Sequence, residues 1–242
     1  MKIVDWNCGG AFRKKIEPIK KYDADIYIIQ ECEHPDKFIE RSVLKSFNFH
    51  WKGSNQNKGL AIFSKPEIKI KVLELDESYR NRQLKWFLPV TIEDNFDLVA
   101  VWTHKAEAEA FAYIGQFYWY LENNLSKIKR PVFIGDFNSN SIWDSWDRWW
   151  NHSDIVEILE NRDIKSLYHN CMNEKQGSES LKTFHHRKDL EKGYHIDYIF
   201  ADDTLLKKTL QFYCGDPKEW LEYSDHVPLV WTFTPSSKKN GV

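Results

Sequence analysis

Short apolar runs that end in polar residues are the feature that most constrains how this 242-residue chain can fold. The runs are rich in Val, Ile, Phe and Trp, and turn residues separate them. Many are apolar at successive positions, as strands covered on both faces are. We predict eight strands: Lys2–Asn7, Ile26–Glu31, Gly59–Ser64, Lys85–Glu93, Phe96–Thr103, Pro131–Asp136, Tyr194–Ala201 and Val227–Thr234. Two packed sheets flanked by helices fit this pattern.

Three stretches between the strands show helical spacing. Glu107–Leu125 is the clearest, because its apolar side chains recur every three or four residues. Pro35–Phe47 and Ser153–Asn161 are shorter, and either Ser153 or Asp154 is suited to cap the latter helix. The pattern therefore predicts a mixed protein with a large share of sheet.

Composition excludes several classes of protein. Hydrophobic residues make up 42% and charged residues 29%, which is a globular balance. With 34 basic and 36 acidic residues the net charge is -2, whereas proteins that coat nucleic acid non-specifically carry a basic excess. No apolar run approaches the about 18 residues that span a bilayer. Asp5 comes too early for a signal-peptide core, so we expect a cytoplasmic protein.

The chain shows no internal linker before its last residues. We therefore expect a single domain over residues 1–234, a polar, frayed tail at 235–242, and a monomer. The four cysteines lie far apart and form no Cys-x-x-Cys pair, so zinc sites are disfavoured and buried free thiols are expected.

Polar residues cluster at the carboxyl ends of the predicted strands. They are Asn7, Gln30-Glu31, Thr103-His104, Asp136-Phe137-Asn138 and, before the last strand, Ser224-Asp225-His226. Asp197 lies inside an apolar run, where an unpartnered carboxylate costs several kcal/mol, so it requires a cation, a metal or hydrogen-bond donors. Acidic and amide oxygens suit a hard cation such as Mg²⁺, and the histidines are left for proton transfer. The set indicates hydrolysis of a phosphate ester.

Six motifs resemble, in order, those of the endonuclease/exonuclease/phosphatase superfamily, which contains exonuclease III and pancreatic-type deoxyribonuclease. The motifs are Trp6-Asn7, Gln30-Glu31, Thr103-His104, Gly135-Asp136-Phe137-Asn138, His195-Ile196-Asp197-Tyr198-Ile199 and Ser224-Asp225-His226. One motif alone would be weak evidence, but six in order over residues 6 to 226 are specific. The resemblance implies an α/β (α+β) fold, a four-layer α/β/β/α sandwich of mostly antiparallel sheets with its active site at one edge.

The resemblance also implies roles for the matched residues. Glu31 is implied to be the principal ligand of Mg²⁺, for which Mn²⁺ can substitute, with Asn7 and Asp225 beside the metal. Asp136 is implied either to orient the attacking water or to assist the leaving oxygen. Asn138 is implied to donate a hydrogen bond to the phosphate.

A second group of implied roles concerns histidines. Asp197 is implied to pair with His226, which fixes the tautomer of the ring and raises its basicity. His104 matches the deoxyribonuclease-like branch, where that histidine contacts a glutamate following an arginine. The nearest equivalent here is Arg82-Gln83, so the acidic partner is missing, and Arg82 is retained as a candidate substrate contact. The basic run at 13–15 either borders the site or forms a solvated face.

Each polar motif also has a purely structural interpretation. Asn7 can close a turn, Ser224-Asp225 can cap a helix, and Asp136-Phe137-Asn138 can form a strand-to-loop turn. Six such coincidences in order are less plausible than catalysis. Four histidines have no matching partner and are expected at the surface or in caps: His34, His50, His152 and His169.

A tryptophan-rich stretch follows the Asp136–Asn138 motif. Spacings of three and four residues place Trp143, Trp146 and Trp150 on one helical face. Packing of this face against the sheet is the favoured interpretation. The alternative is a platform on which bases stack, each contributing about 1–3 kcal/mol.

The sequence thus predicts a Mg²⁺-dependent phosphoesterase that acts by direct attack of water, with DNA or RNA as the favoured substrate. A phosphatase or phospholipase acting on inositol phosphates, phospholipids or nucleotides is the competing enzyme class. A binding module without catalysis is the third hypothesis, and the complete set of acids, amides and histidines argues against it.

Overall fold

A computed structural model describes residues 1–235 of the chain, so the predicted tail lies, apart from Pro235, outside the described residues. The sixteen strands are β1 Lys2–Asn7, β2 Ile26–Cys32, β3 Asn48–Asn55, β4 Lys58–Ser64, β5 Ile70–Val72, β6 Ser78–Tyr79, β7 Arg82–Gln83, β8 Phe87–Ile92, β9 Phe96–Trp102, β10 Val132–Asp136, β11 Ile164–Ser166, β12 Phe184–His185, β13 Gly193–Tyr194, β14 Asp197–Asp202, β15 Thr209–Cys214 and β16 Leu229–Phe233. The six α-helices are α1 Ile16–Lys20, α2 Ile114–Asn124, α3 His152–Glu160, α4 Leu167–Met172, α5 Asp203–Leu206 and α6 Pro217–Trp220.

Twelve of these strands form two six-stranded sheets. The first has the order β15-β16-β1-β2-β4-β3 and the second the order β11-β14-β10-β9-β8-β5. Each sheet has one parallel pair at its centre, β1 with β2 and β10 with β9, and its other pairs are antiparallel. Because the carboxyl ends of parallel neighbours meet at one edge, each sheet brings two polar strand ends together.

Alternating side chains of the strands divide the apolar core into three layers. Along β2, Ile26 and Ile28 face the centre between the two sheets, whereas Tyr27 and Ile29 face outward. The outer face of the first sheet is covered by short helical segments, and that of the second is covered by α2 and α3. The predicted four-layer α/β/β/α sandwich is confirmed.

All eight predicted strands are present, and their ends differ from the predicted ones by at most three residues. The structure adds β3, β5, β11 and β15, which lie at the edges of the sheets and carry too many polar residues to stand out. The segment 78–83 and the segment 184–194 form two further hairpins.

The helix predictions were less accurate. Pro35–Phe47 is wrong as one helix, because the structure has two separate 3₁₀ turns at Pro35–Lys37 and Ile39–Arg41. The helix predicted over Glu107–Leu125 begins only at Ile114. The one predicted at Ser153–Asn161 is α3, and its first turn is closed by the backbone N–H of Asn151 donating to Asp154.

No helix within residues 1–235 is long and apolar enough to cross a membrane. The four cysteines are free thiols. Cys8 and Cys32 are buried, and burial raises the pKa of Cys8 to about 12. Cys171 is exposed, so the prediction of a buried thiol is wrong there.

Candidate active site

Asp136, the last residue of β10, is the centre of a buried hydrogen-bond cluster where the two sheets meet. Its carboxylate accepts hydrogen bonds from Asn7 Nδ2 at 2.9 Å, from Asn138 Nδ2 at 2.9 Å and from the Asn138 backbone N–H at 2.8 Å. Asn7 ends β1 in the first sheet, so this contact joins the ends of both sheets. Burial and the neighbouring charge of Asp197 raise the pKa of Asp136 to about 7.

Asp197 and His226 form a buried pair beside Asp136. Asp197 begins β14 and lies opposite Asp136 in the antiparallel register. His226 Nδ1 is 2.9 Å from Asp197 Oδ2 and 3.1 Å from Oδ1, and His226 Nε2 is 4.0 Å from Asp136 Oδ2. The structure therefore brings the predicted pair within hydrogen-bond distance.

The charge of the His226 ring depends on its carboxylate partners. Burial alone lowers the pKa of His226, but Asp197, followed by Asp136 and Asp225, raises it to about 10. Both ring nitrogens then carry protons at neutral pH. Nδ1 donates to Asp197, and Nε2 is left as a donor directed toward the space beside Asp136.

Two hydroxyl groups fix the backbone around this pair. Thr183 Oγ1 accepts the backbone N–H groups of Ile196 at 2.9 Å and Asp197 at 3.0 Å. Ser224 Oγ donates to the carbonyl of Asn7 at 2.7 Å and accepts the N–H of His226 at 3.1 Å. The ends of β1 and β14 and the loop before β16 are thereby held in one arrangement.

Glu31 lies in a β-bulge that turns its side chain out of the ladder. The pairing of β2 with β4 shifts register at this residue, and its φ of 59° is in the left-handed region. Glu31 Oε2 is 2.8 Å from Lys58 Nζ. An added Cβ on Gly9 would lie 3.6 Å from Asp225 Oδ1 and 3.8 Å from Lys15 Nζ, so these two side chains lie near each other. Burial lowers the pKa of Lys15, and the charges of Asp225 and Glu31 oppose that effect.

A glycine and an asparagine shape the loop after β10. At Gly135, with φ 144°, an added Cβ would lie 1.9 Å from the Val101 carbonyl oxygen, so only glycine fits. Asn138 has φ 46°, and its Nδ2 also donates to the Thr103 carbonyl at 2.7 Å. These contacts aim the Asn138 side chain back at Asp136.

The residues at this edge fit a divalent cation. Asp136, Asp197 and His226 are buried, and their side-chain oxygen or nitrogen atoms lie within 4.8 Å of one another. Because both nitrogens of the His226 ring carry protons, the carboxylate oxygens are the atoms of this group that could hold a cation. Glu31 and Asp225 add two further carboxylates on the first-sheet side. A hard cation stabilises such an excess of acidic oxygens, among which burial and the like charge of Asp197 raise the pKa of Asp136.

Comparison with known proteins assigns the chain to a family. Residues 6–226 match the Endonuclease/Exonuclease/phosphatase family. The chain belongs to that family. Members of the family are phosphoric ester hydrolases, mostly metal-dependent, so the chain is an enzyme of that class.

Solved structures agree with the fold. The 3′ phosphatase NExo from Neisseria, bound to a product DNA hairpin, is 16% identical with a TM-score of 0.70, covering 97% of this chain and 99% of its own. An AP endonuclease from Archaeoglobus fulgidus is 20% identical with a TM-score of 0.69, covering 96% and 99%. The Xenopus laevis APE2 catalytic domain is 16% identical with a TM-score of 0.66, covering 99% and 94%. No curated protein matches the chain.

His104 and Arg82 are held differently from the central cluster. His104 follows Thr103 at the end of β9, its Nδ1 lies 3.0 Å from the Lys105 carbonyl oxygen, and its ring lies against Trp86 and Trp102. Within residues 1–235 no hydrogen bond or ion pair joins this ring to a carboxylate, and burial lowers its pKa. The Arg82 guanidinium lies over the Phe111 ring, 5.0 Å from its centroid.

The predicted helical stripe of tryptophans is wrong. Only Ser141–Trp143 forms a 3₁₀ turn, and turns follow up to Asn151. Trp146 is 97% exposed, so it does not pack against the sheet. Trp150 is half-buried and packs with the outer layer, where an added Cβ on Gly115 would lie 3.1 Å from its ring.

Asn140 and Glu179 are site-supporting residues that the motifs did not indicate. Asn140 Nδ2 donates to Glu179 Oε2 at 3.1 Å, to the His195 carbonyl at 2.9 Å and to Tyr198 Oη at 3.0 Å. This buried network holds the loop that carries Asn138. His152, expected at the surface or in a cap, is buried here, with its Nδ1 3.2 Å from Ser139 Oγ.

Proposed function

We propose that the chain is a Mg²⁺-dependent phosphodiesterase that hydrolyses nucleic acid by direct attack of water. The observation that carries this proposal is the position of Asp136, which contacts two amide groups and lies beside the Asp197–His226 pair. A carboxylate that can accept a proton from water therefore lies close to groups that can donate hydrogen bonds to phosphoryl oxygens, all at one edge of the sheets.

The donors in this proposal are Asn138 and His226. His226 Nε2, which is 4.0 Å from Asp136 Oδ2, would donate a hydrogen bond to a non-bridging phosphoryl oxygen. The two hydrogens of Asn138 Nδ2 bond Asp136 and the Thr103 carbonyl, so this amide would exchange Asp136 for a second phosphoryl oxygen. Positioned donors stabilise the charge that grows on these oxygens without needing to reorganise. Asp197 is a positioning residue that keeps the His226 ring oriented.

Asp136 is the carboxylate assigned to the attacking water. Its raised pKa, about 7, places it where a carboxylate can take a proton from water and return it near neutral pH. Asn7 and Asn138 fix its two oxygens, so the attacking water is oriented rather than free.

Glu31, Asn7 and Asp225 are the residues proposed to hold Mg²⁺, with Mn²⁺ able to replace it. When bound, the cation would neutralise phosphoryl charge and so favour attack by water. The carboxylates fit a hard, oxygen-preferring ion. Lys58, now paired with Glu31, would then be released toward the substrate backbone.

Nucleic acid is the proposed substrate class. The exposed Trp146 ring beside the Asn138 loop offers a stacking surface for bases, and Lys15 and Lys58 offer charges for phosphates. NExo bound to a DNA hairpin and the AP endonuclease from Archaeoglobus fulgidus share the fold. With few phosphate contacts, the affinity should fall only shallowly with salt.

A Mg²⁺-dependent hydrolysis panel tests this proposal. It compares single- and double-stranded DNA, RNA, abasic duplex, inositol phosphates and sphingomyelin, with the Asp136→Asn variant as the inactive control. We expect cleavage of DNA or RNA. Release from an inositol phosphate or phospholipid without cleavage of any nucleic acid would refute the nuclease assignment and support the competing one.

A further inference from the structure

A small cavity of about 140 Å³ lies between the end of β3 and the segment that leads from β7 into β8. It is lined by Lys52, Gly53, Ser54, Gln83, Lys85 and Trp86. The volume is well below the roughly 300–1,000 Å³ of pockets that enclose a drug-sized ligand. The cavity therefore fits one small chemical group rather than a whole nucleotide or a lipid chain.

Hydrogen-bond donors dominate the lining of this cavity. Trp86 is 9% exposed, and within residues 1–235 its Nε1 has no hydrogen-bond partner. A buried N–H that lacks an acceptor costs free energy, so a ligand that accepts from it is favoured. Lys52 and Lys85 add ammonium groups, and Ser54 and Gln83 add a hydroxyl and an amide. Among the described residues no carboxylate lines the cavity, so its chemistry suits an anion.

The two lysines differ in how far their charges are compensated. Lys52 Nζ lies 2.5 Å from Glu77 Oε1 and donates to the Phe87 carbonyl at 3.3 Å. Lys85 is exposed, and in the part of the chain that the structure describes its ammonium forms no ion pair. The cavity thus offers about one uncompensated positive charge, which matches an anion that carries one negative charge.

The strand register places the cavity beside the proposed reaction site. The Trp86 carbonyl accepts the N–H of Trp102 at 3.0 Å, and Trp102 lies opposite Asp136 in the parallel pair of β9 and β10. Two strand spacings, about 10 Å in all, therefore separate Trp86 from Asp136. The cavity lies on the β8 side of the site, so a group a short distance along the substrate strand can reach it.

Two arginines of the β6–β7 hairpin extend this basic surface. The Arg82 guanidinium lies 5.0 Å from the centroid of the Phe111 ring, and that of Arg80 lies 5.3 Å from the centroid of Tyr79. The Tyr79 ring stacks on Trp119 of α2, with centroids 4.2 Å apart, so the hairpin is held in place. Neither arginine forms an ion pair with a carboxylate within residues 1–235, so both can bind phosphates.

We infer that this cavity binds a backbone phosphodiester of the substrate strand other than the one that is hydrolysed, and that Arg82 and Arg80 bind phosphates further along that strand. A phosphodiester carries one negative charge and two non-bridging oxygens, which match the uncompensated Lys85 ammonium and the neutral donors around it. A terminal phosphate carries a charge of about −1.5 to −2 and would leave part of it without a partner. The inference rests on the proposed function and adds the side on which the strand extends.

Single neutral linkages in the substrate test the cavity. A set of single-stranded DNA oligonucleotides of one sequence carries one methylphosphonate each, at successive positions on both sides of the cleaved bond. We expect the kcat/KM of the wild type to fall about fivefold at one or two positions on one side only, as for one charged hydrogen bond in a partly exposed site. Lys85→Gln should abolish this fall, and Lys85→Arg should retain it.

The salt dependence of cleavage gives a second readout. In Lys85→Gln the slope of log kcat/KM against log salt should become shallower by about 0.7, the single-strand value for one phosphate contact. Lys165→Gln is the matched control, because this exposed lysine lies on β11 at the opposite edge of the second sheet. It should keep the wild-type slope. Since Lys85 is exposed, its substitutions should leave the melting temperature unchanged.

Three outcomes would overturn the inference. If Lys85→Gln shows the same response to every methylphosphonate as the wild type, the cavity does not bind a backbone phosphate, and the nuclease assignment stands. A response to Lys85→Gln that appears only when the oligonucleotide ends in a phosphate would replace the phosphodiester by a terminal phosphate. Failure to cleave any unmodified oligonucleotide would refute the proposed function, and the phosphate site with it.

Discussion

The active-site cluster and the tryptophan-rich segment 141–150 are neighbours in the chain but differ in how their side chains are held. Asp136 is 1% exposed and accepts three hydrogen bonds, whereas Trp146 is 97% exposed on a turn. Reacting groups need fixed geometry, which rigid strand ends provide. Groups that meet a variable substrate are carried by loops. The comparison teaches that chemistry and substrate choice are built into different parts of this fold.

The largest effect on turnover is expected in the active-site cluster. Asp136→Asn removes the carboxylate proposed to accept a proton from water, so kcat should fall by about 10³-fold. Steady-state hydrolysis in Mg²⁺ buffer measures it. Asp147→Asn is the control, because this exposed carboxylate lies in segment 141–150 and accepts a hydrogen bond from Ser145 Oγ. Unchanged turnover in Asp136→Asn would contradict the claim that the reacting groups lie in the active-site cluster.

A smaller loss of kcat, on the order of 10²-fold, is expected for Asp197→Asn, because the His226 ring loses its orienting partner. The change also removes the largest of the charges that raise the pKa of the His226 ring. In the wild type the raised pKa keeps His226 charged, and the stability from this charge declines as pH rises from the ordinary histidine pKa of about 6.5 to about 10.

In the Asp197→Asn variant only Asp136 and Asp225 oppose the effect of burial, so the pKa of His226 should fall below that of the wild type. NMR titration of the imidazole nitrogens measures both proteins. A ring that titrates at the same pH in the two would show that Asp197 does not control it.

Two buried histidines, His152 and His195, are expected to make the stability of the protein sensitive to acid. Burial lowers the pKa of both His152 and His195 to about 4. Protons therefore bind the unfolded chain first, and stability should decline as pH falls from about 6.5 toward 4, by up to roughly 3 kcal/mol per histidine. Urea unfolding at pH 7 and pH 5 checks this. His152→Gln should flatten the decline, and an equally steep decline in that variant would contradict the account.

The smallest effect on the fold is expected for Trp146→Ala. Since this ring is almost fully exposed, the free energy of unfolding should change by less than about 0.5 kcal/mol. The KM for single-stranded substrate should rise severalfold, because one stacking surface is lost. Trp220→Ala, at a fully buried tryptophan, is the contrast and should cost about 3–5 kcal/mol. A large loss of stability in Trp146→Ala would contradict the exposed position of this ring and indicate that it packs in the core.

The same contrast explains what the sequence predicts well. Asn7, Asp136 and Asp197 lie at ends of apolar strands, so the strand pattern and the parallel pairs dictate that they meet. A buried carboxylate in a strand requires a partner, and His226 supplies it. The fold class and the composition of this cluster therefore followed from local patterns and the family resemblance.

Segment 141–150 was mispredicted because side chains replace the helical hydrogen bonds. Asn151 Oδ1 accepts the N–H of Ser145 at 2.9 Å, and Asn151 Nδ2 donates to the carbonyls of Ser145 and Arg148. Asparagine favours such local bonds over a helix. The spacing of the tryptophans does not reveal that these side-chain hydrogen bonds compete with the helical ones.

The hydrogen bond between Asn140 and Glu179, which holds the loop of Asn138, could not be predicted from the sequence either. The two residues are 39 positions apart and meet only through tertiary packing. The single-domain organisation, the monomeric state and the roles of individual site residues stay predictions.

The proposed metal role of Glu31 is the central claim, and calorimetric titration of Mg²⁺ into the wild type and Glu31→Gln tests it most directly. Glu31→Gln keeps the size of the side chain and removes its charge, so Mg²⁺ affinity should fall by at least tenfold while the circular dichroism spectrum is unchanged. Hydrolysis should be lost in parallel, and the exposed-site control Glu40→Gln should retain both. Equal Mg²⁺ affinity and equal turnover in wild type and Glu31→Gln would contradict the account.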